Sequence, residues 1–280
     1  MPDHPGEAFQ NETSYSREYM EERELDWRSK PPIYKFYNHA PVIGLPAPAP
    51  ALDEYPGPDL YTLVSKRRSI RSFGATPLSL LELSRLLWAS AGITTSYITP
   101  HGQDFYRAAP TAGALYPIET YVVANKVDDL EQGLYHYRVA GLDILERPIV
   151  EGSHSLEQLQ TGDLRSEVSA AALDQLMCAK AGAVFIWTAV FARSAWKYRE
   201  RAYRYIYLDA GHMAAQLSLA AVAQGLGCCP IAAFYDNEVN ALLSLDGETE
   251  GAVYMMAVGR PSRAATATQP DVRHTARPKE

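Results

Sequence analysis

"AVFIWTAVF", residues 183–191, runs directly into "ARSAWKYRERAYRYIYLDAGHMAAQLSLAAVAQGL", residues 192–226. The first piece is an almost unbroken apolar run of strand length, which predicts a buried central strand. The second has helical period, and the longest helical pattern in the chain is expected over 195–226. Leu208, Ala215, Leu219, Val222 and Leu226 form one stripe of it. Gly211, Ala214, Ser218, Ala221 and Gly225 form another, small enough to let a neighbour approach the helix axis. Working outward, "IETYVVA" (118–124), "GLYHYRV" (133–139) and "GAVYMMAVG" (251–259) read as further strands, and "CPIAAFY" (229–235) as a short strand or turn. Helices are predicted from the N-cap candidate Asp59, over "TPLSLLELSRLLWASAG" (76–92), over 155–177 and over "NEVNALLSL" (237–245). In the second of these, Pro77 sits near the start and Gly92 just past the end. Strands and helices mix without regular βαβ alternation, so the fold class is α+β.

The ends differ from this middle. Residues 1–30 read as a charged helix or loose arm, and 40–58 are proline-rich, an extended connector lying on a surface. The expected organisation is an arm and connector over 1–58, one domain over 59–264 and a polar tail over 265–280. The formal net charge of −7 argues against a general binder of nucleic acid or anionic membrane. Three cysteines, Cys178, Cys228 and Cys229, make no disulfide framework and suit a reducing cytoplasm. The polar, acidic start does not read as a signal peptide, and no apolar run reaches membrane-spanning length.

Four stretches carry chemistry, while the glycine-rich dinucleotide fingerprint, the P-loop, H-E-x-x-H and G-x-S-x-G are all missing from the sequence. "SKRRSIRSFG" (65–74) gathers Lys66, Arg67, Arg68 and Arg71 around Ser69 in an acidic chain. It reads either as a solvated basic helix end or as a phosphate cradle, since arginine forks bind phosphate oxygens bidentately. "RAAPTAGALYPIE" (107–119) places Pro110, Thr111, Ala112, Gly113 and Ala114 just before a strand, a loop that brings backbone groups close to a flat ligand, or an ordinary turn. "GLGCCPIAAF" (225–234) is a second small-residue approach to a strand, its cysteines reading as apolar filler. In "WKYRERAYRYIYLDAGH" (196–212), Lys197 and Tyr198 are candidate proton-transfer groups. The nearby Arg193, Arg199 and Arg201 are expected to favour neutral lysine and ionised tyrosine. Adjacent helical residues point about 100° apart, so the pair could line one pocket edge without stacking on one face.

In order and spacing these blocks, closed by "AVGRP", resemble the nitroreductase superfamily across residues 33–260, and within it the SagB-type (thiazole/oxazole-forming, azoline) dehydrogenases. The resemblance implies an α+β fold with a central, mainly antiparallel sheet, an intertwined homodimer, and FMN held between subunits. It places Arg67, Arg68 and Ser69 at the phosphate and ribityl chain and Arg71 at the pyrimidine edge of the ring. Pro110, Thr111, Ala112, Gly113 and Ala114 would form the loop over the isoalloxazine, with Ala112 and Ala114 limited to backbone contacts. Ala232 and Ala233 would lie near flavin N5. A basic residue of the tail would complete the phosphate site, Arg273 by its spacing from Gly259, or else Arg260. Lys197 and Tyr198 match the catalytic pair.

The implied reaction is oxidation of an azoline or related peptide-like substrate to an azole, by loss of a ring proton and hydride transfer to flavin. A separate cyclodehydratase or a carrier protein would deliver the substrate. The alternatives are an NAD(P)H-dependent nitro- or quinone reductase with opposite electron flow, and a binding subunit that has lost flavin. Nothing in the residues names the substrate.

Overall fold

The computed structural model describes residues 4–18, 24–48, 57–99, 102–142, 148–149 and 154–263. Arg273 and the rest of the tail from 264 lie outside them, as does most of the proline-rich stretch beyond Pro48. In chain order the elements are α1 (Pro5–Glu12), β1 (Val42–Gly44), α2 (Leu60–Lys66), α3 (Leu80–Ala91), β2 (Ile93–Thr99), β3 (Gly102–Arg107), β4 (Ile118–Ala124) and β5 (Gly133–Arg138). Then come β6 (Gly141–Leu142), β7 (Pro148–Ile149), β8 (Ser155–Thr161), α4 (Arg165–Ala171), α5 (Met177–Lys180) and β9 (Ala183–Val190). The chain continues through α6 (Phe191–Tyr198), α7 (Ala202–Ala223), β10 (Gly227–Ile231), α8 (Asp236–Leu242) and β11 (Glu250–Gly259).

Local chemistry sets the boundaries. The Asp59 carboxylate accepts the Thr62 N–H at 3.1 Å and opens α2. Ser79 and Glu82 form a reciprocal capping box at the start of α3, so the helix begins at Leu80, three residues after Pro77. The apolar run 183–190 is β9, a buried interior strand flanked by β4 and β11. The seven-stranded sheet has the order β1-β8-β5-β4-β9-β11-β10, with every pair antiparallel. Alternate residues of β9 face opposite layers. Phe185 and Trp187 pack with α3 and α7, whereas Val184 and Ile186 pack with α4, α5 and α8. The α+β class with a central antiparallel sheet is therefore the observed architecture.

Two expectations fail. Residues 155–177 are not one helix: 155–161 form β8, and α4 and the single turn α5 follow. Leu156 and Leu159 imitate helical spacing, but Glu157 between them is fully buried and bonded across the sheet, which no amphipathic reading anticipates. The long helix 195–226 is broken. α6 stops at Tyr198, Arg199 takes φ 51° and ψ −137°, and a 3-10 turn over Arg199–Arg201 redirects the chain into α7. The two stripes of α7 also exchange importance. The buried face is built from Ile206, Ala210, Met213, Ala214, Leu217 and Ala221, so the small residues serve the chain's own core. Leu208 is 57% exposed and points outward, as do Tyr61 and Val64 of α2.

The N-terminal arm packs against the molecule. Its residues 42–44 add the edge strand β1 to β8. Lys35 reaches Glu250 at 2.5 Å, and the Tyr37 N–H donates to Glu157 at 3.0 Å.

Candidate active site

The cationic stretch forms the seam between α2 and the sheet edge. Ile70 N–H donates to the Cys228 carbonyl at 2.8 Å, and Ser69 bridges to Cys228 in parallel sense, so 69–70 lie along β10. Gly227 is required for this approach, because a Cβ there would stand 2.8 Å from the Ile70 side chain. Arg67, Ser69 and Arg71 are thus held at one edge by backbone pairing. Among the described residues none of Arg67, Arg68 and Arg71 has a carboxylate partner; Arg68 donates to the Arg67 carbonyl at 2.7 Å. Arg67 lines an open groove of about 380 Å³ whose other walls include Val64, Gly211, Ser218 and Pro230. Ala232 and Ala233 follow β10 and are exposed; the Ala233 carbonyl accepts from the Gln175 amide at 3.1 Å. Arg260 is committed elsewhere, paired with Glu82 of the α3 capping box at 2.8 Å.

The small-residue loop is fixed by a group that the sequence reading did not single out. The buried carboxylate of Asp209, on α7, accepts the Thr111 hydroxyl at 2.5 Å and the Ala112 N–H at 3.3 Å. Gly113 follows at φ 66°, a left-handed conformation natural to glycine. Its position also leaves no space: a Cβ there would lie 2.5 Å from the Tyr198 hydroxyl and 3.2 Å from Lys197 Nζ. The two side chains therefore converge on one point of the loop despite being adjacent in sequence. The kink after Tyr198 accounts for this, since Tyr198 leaves the helix at φ −109° while Lys197 is still within it. Lys197 Nζ stands 5.4 Å from the Tyr198 ring centroid, and the Tyr198 ring meets Tyr205 edge-on at 4.8 Å.

One chain does not unite the cradle and the loop. Asp209 and Ser218 are nine residues apart on α7, which places them half a turn round the helix and about 14 Å along it. Asp209 faces the loop, Ser218 the arginine groove.

The family model described as the nitroreductase family matches residues 64–260. The chain belongs to the nitroreductase family. It is an oxidoreductase of that fold, as are its structural neighbours. A protein of Methanocaldococcus jannaschii named as a candidate nitroreductase is 35% identical over 201 residues, 72% of this chain and 90% of that one. The trifolitoxin-processing protein of Rhizobium leguminosarum bv. trifolii is 34% identical over 188 residues, 65% of this chain and 48% of its own. A candidate nitroreductase from Anabaena variabilis superposes with TM-score 0.72 at 29% identity, covering 94% of this chain and 48% of that one. This chain thus spans about half the length of the trifolitoxin-processing protein and of the Anabaena chain. The microcin B17-processing protein of Escherichia coli is also similar, at 24% identity over 61% of this chain and 58% of that one. These resemblances support a SagB-type member of the superfamily.

In this nitroreductase-family site the arginines near Lys197 behave differently from expectation. Arg193 does not face the pair: it is buried, donating to Glu119 at 2.6 Å, to the Tyr116 carbonyl at 2.9 Å and to the Pro32 carbonyl at 2.7 Å. Arg201 donates to the Tyr205 hydroxyl at 3.0 Å and to the Thr13 carbonyl at 2.7 Å. Tyr198 is pushed up rather than down, by burial first and then by Tyr205 and Asp209, so its phenol keeps its proton. Burial also raises Asp209, against the opposing bonds from Thr111 and Ala112. Asp209 and Glu119, the partner of Arg193, are the neighbours of the candidate site that the sequence reading missed. The sequence marks Asp209 as the lone acid on α7 but says nothing of the loop it holds.

Proposed function

We propose that the chain is an FMN-dependent dehydrogenase that oxidises an azoline, or a related peptide-like substrate bound to a peptide or carrier, to the azole. The carrying observation is the convergence of Lys197 Nζ and the Tyr198 hydroxyl on Gly113. A broad-specificity reductase has no use for two proton-handling groups at one point of a cofactor loop.

The residues fit FMN. Arg67, Arg68 and Arg71 are cations without carboxylate partners among the described residues, and with Ser69 they offer the donor set a phosphate needs. Pro110 to Ala114 present backbone and small side chains, which suits the face of a flat ring, and Gly113 is a spot that any Cβ would fill. Ala232 and Ala233 are exposed just past the end of β10, where their backbone N–H groups can serve the ring while the Ala233 carbonyl is taken by Gln175. FMN, when bound, supplies the two-electron hydride acceptor. The chain's own residues handle the proton. Tyr198 retains its hydrogen and acts as a donor, orienting the substrate, so acceptance of the ring proton falls to Lys197 Nζ as the neutral amine. Loss of one proton and one hydride from the ring balances the conversion of azoline to azole, and oxygen re-oxidises the cofactor.

Since cradle and loop face opposite flanks of α7, a site using both requires a second copy of the chain, and the outward apolar residues of α2 and α7 suit such a homodimer. A stable pair of this kind buries about 2,000 Å² or more in total. We place the protein in the cytoplasm, in keeping with its free cysteines. Among the described residues no helix is long and apolar enough to cross a membrane. The microcin B17-processing relative and the trifolitoxin-processing relative support a substrate made on a peptide, with a cyclodehydratase or carrier protein as partner. The fold of the microcin synthetase complex, solved with a truncated pro-peptide, is shared at TM-score 0.53.

The test is anaerobic. A synthetic thiazoline-containing peptide is expected to bleach the flavin of the holoprotein and to lose two mass units. Bleaching by NAD(P)H, with the thiazoline inert, would favour the nitro- or quinone-reductase reading, which the Methanocaldococcus relative supports.

A further inference from the structure

The matched family segment begins at residue 64, yet the donors that surround Lys197 and Tyr198 are spent on residues before it. Arg204 donates to the Thr13 hydroxyl at 2.7 Å and also to the Gln10 carbonyl. Arg201 donates to the Thr13 carbonyl at 2.7 Å, and its guanidinium lies 4.3 Å from the Tyr15 ring centroid. The Trp196 indole donates to the Asp26 carbonyl at 3.0 Å, and its ring meets Trp27 edge-on at 5.4 Å. Arg193 donates to the Pro32 carbonyl at 2.7 Å. Four side chains within 193–204 thus bracket the pair on both sides, and each finds a main-chain carbonyl of the arm.

The pattern is specific in two respects. All the acceptors but the Thr13 hydroxyl are backbone oxygens, so what the donors recognise is chiefly the path of the arm. Thr13 is 5% exposed and takes both arginines, while its own hydroxyl donates to the Phe9 carbonyl at 2.5 Å. The segment being held also needs holding. Arg199 sits at φ 51° and ψ −137°, a conformation that a non-glycine residue keeps only where its surroundings enforce it. The connection to the site is direct. Arg201 Nε donates to the Tyr205 hydroxyl at 3.0 Å, and the Tyr205 ring packs on Tyr198.

We propose that residues 4–18 and 24–37 are a working part of the site: a strap, added outside the family domain, that positions Lys197 and Tyr198 at Gly113. Arg201 and Arg204 are its positioning residues; neither touches substrate. This inference rests on the reading of Lys197 and Tyr198 given above. A strap of this kind explains how a strained junction delivers two adjacent side chains to one point.

The experiment compares the wild-type holoprotein with Arg201→Gln/Arg204→Gln, Arg201→Lys/Arg204→Lys and Lys197→Ala. Three quantities are read: flavin occupancy and its reduction by dithionite, amide hydrogen exchange over 195–205, and kcat and KM with the thiazoline peptide. The glutamine pair is expected to keep flavin and dithionite reduction, to exchange about tenfold or more faster over 195–205, and to lose about 10- to 100-fold in kcat. The lysine pair, which keeps cationic donors towards Thr13, is expected to recover much of both. Unchanged exchange, or faster exchange with kcat intact, would overturn the proposal. So would equal losses in both pairs alongside loss of flavin, which would mark a general folding defect. If Lys197→Ala itself retains turnover, the catalytic reading falls on its own. The strap then stands or falls on the exchange of 195–205 with flavin retained.

Discussion

Two sets of cations meet in this molecule and have opposite fates. Arg193, Arg201 and Arg204 are engaged in bonds to carbonyls, hydroxyls or Glu119. Arg67, Arg68, Arg71 and Lys197 have no carboxylate partner among the described residues, and of these side chains only Arg68 is bonded, to the carbonyl of its own neighbour Arg67, in a chain of net charge −7. Acid groups are plentiful, so leaving these four without one reflects placement rather than shortage. Engaged cations build; uncommitted ones held in fixed positions are available to an anion, and a lysine among them, as the neutral amine, is available to a proton. Sequence alone does not separate the two, because "KRRSIR" and "WKYRERAYR" each carry four cations.

The comparison can be broken most severely at Lys197. Lys197→Ala and Tyr198→Phe are each expected to keep flavin while thiazoline oxidation falls about 10²–10⁴-fold, the usual scale of general acid–base catalysis. Steady-state kinetics on the flavin-loaded proteins checks this, and an unaltered rate in both would remove the pair from the mechanism.

At an engaged arginine the expected damage is to stability. Arg193→Met leaves Glu119 buried at 4% exposure without its strongest partner, so unfolding free energy should fall by about 3–5 kcal/mol, read from urea denaturation. Arg67→Ala inverts that pattern: denaturation should hardly move, while FMN affinity drops about tenfold or more, matching a loss of about 1.5–3 kcal/mol for a charged hydrogen bond. Equilibrium dialysis followed by visible absorbance measures it. Equal stability losses in the two variants would erase the distinction drawn here.

A smaller effect sharpens the buried side. Burial opposes ionisation of Glu119, but Arg193, then His136 and Arg107, outweigh it and hold the carboxyl at about 2. Its contribution to stability is complete above about 4.5, its ordinary value, and is lost as pH falls towards 2. His136 suffers burial too, yet its bonds to Glu119 at 3.1 Å and Glu157 at 2.8 Å raise it above 6.5. That contribution is complete below 6.5 and is lost as pH rises through the raised value. Denaturation midpoints should therefore be highest between about pH 4.5 and 6.5, and His136→Gln should flatten the alkaline decline.

Much of the fold was legible where burial is one-sided or total. The runs 118–124, 133–138 and 183–190 became strands because their apolar patterns had no competing period. Asp59 marked a helix start by its ordinary capping chemistry, and Gly92 follows a helix end in extended backbone. Strand β8 was not legible, since a buried Glu157 satisfied by His136 looks the same in sequence as an exposed glutamate. The break at Arg199 was hidden for a similar reason. No glycine or proline marks it, and the arm's carbonyls, distant in sequence, enforce it. In the site, Lys197, Tyr198 and Gly113 were identified before their convergence was visible, whereas Asp209 was overlooked because one acid within "YLDAGH" gives no hint of the loop 98 residues upstream that it ties down.

The central claim is that electrons flow from an azoline to the cofactor, with Lys197 Nζ taking the proton. The most direct measurement is anaerobic stopped-flow absorbance of the flavin-loaded protein mixed with the thiazoline peptide, wild type beside Lys197→Ala, with NADPH as the competing reductant. The account predicts rapid bleaching by the thiazoline in the wild type, bleaching slowed about 10²–10⁴-fold in the variant, and none by NADPH. Bleaching by NADPH at equal rates in both proteins, with the thiazoline silent, would contradict it.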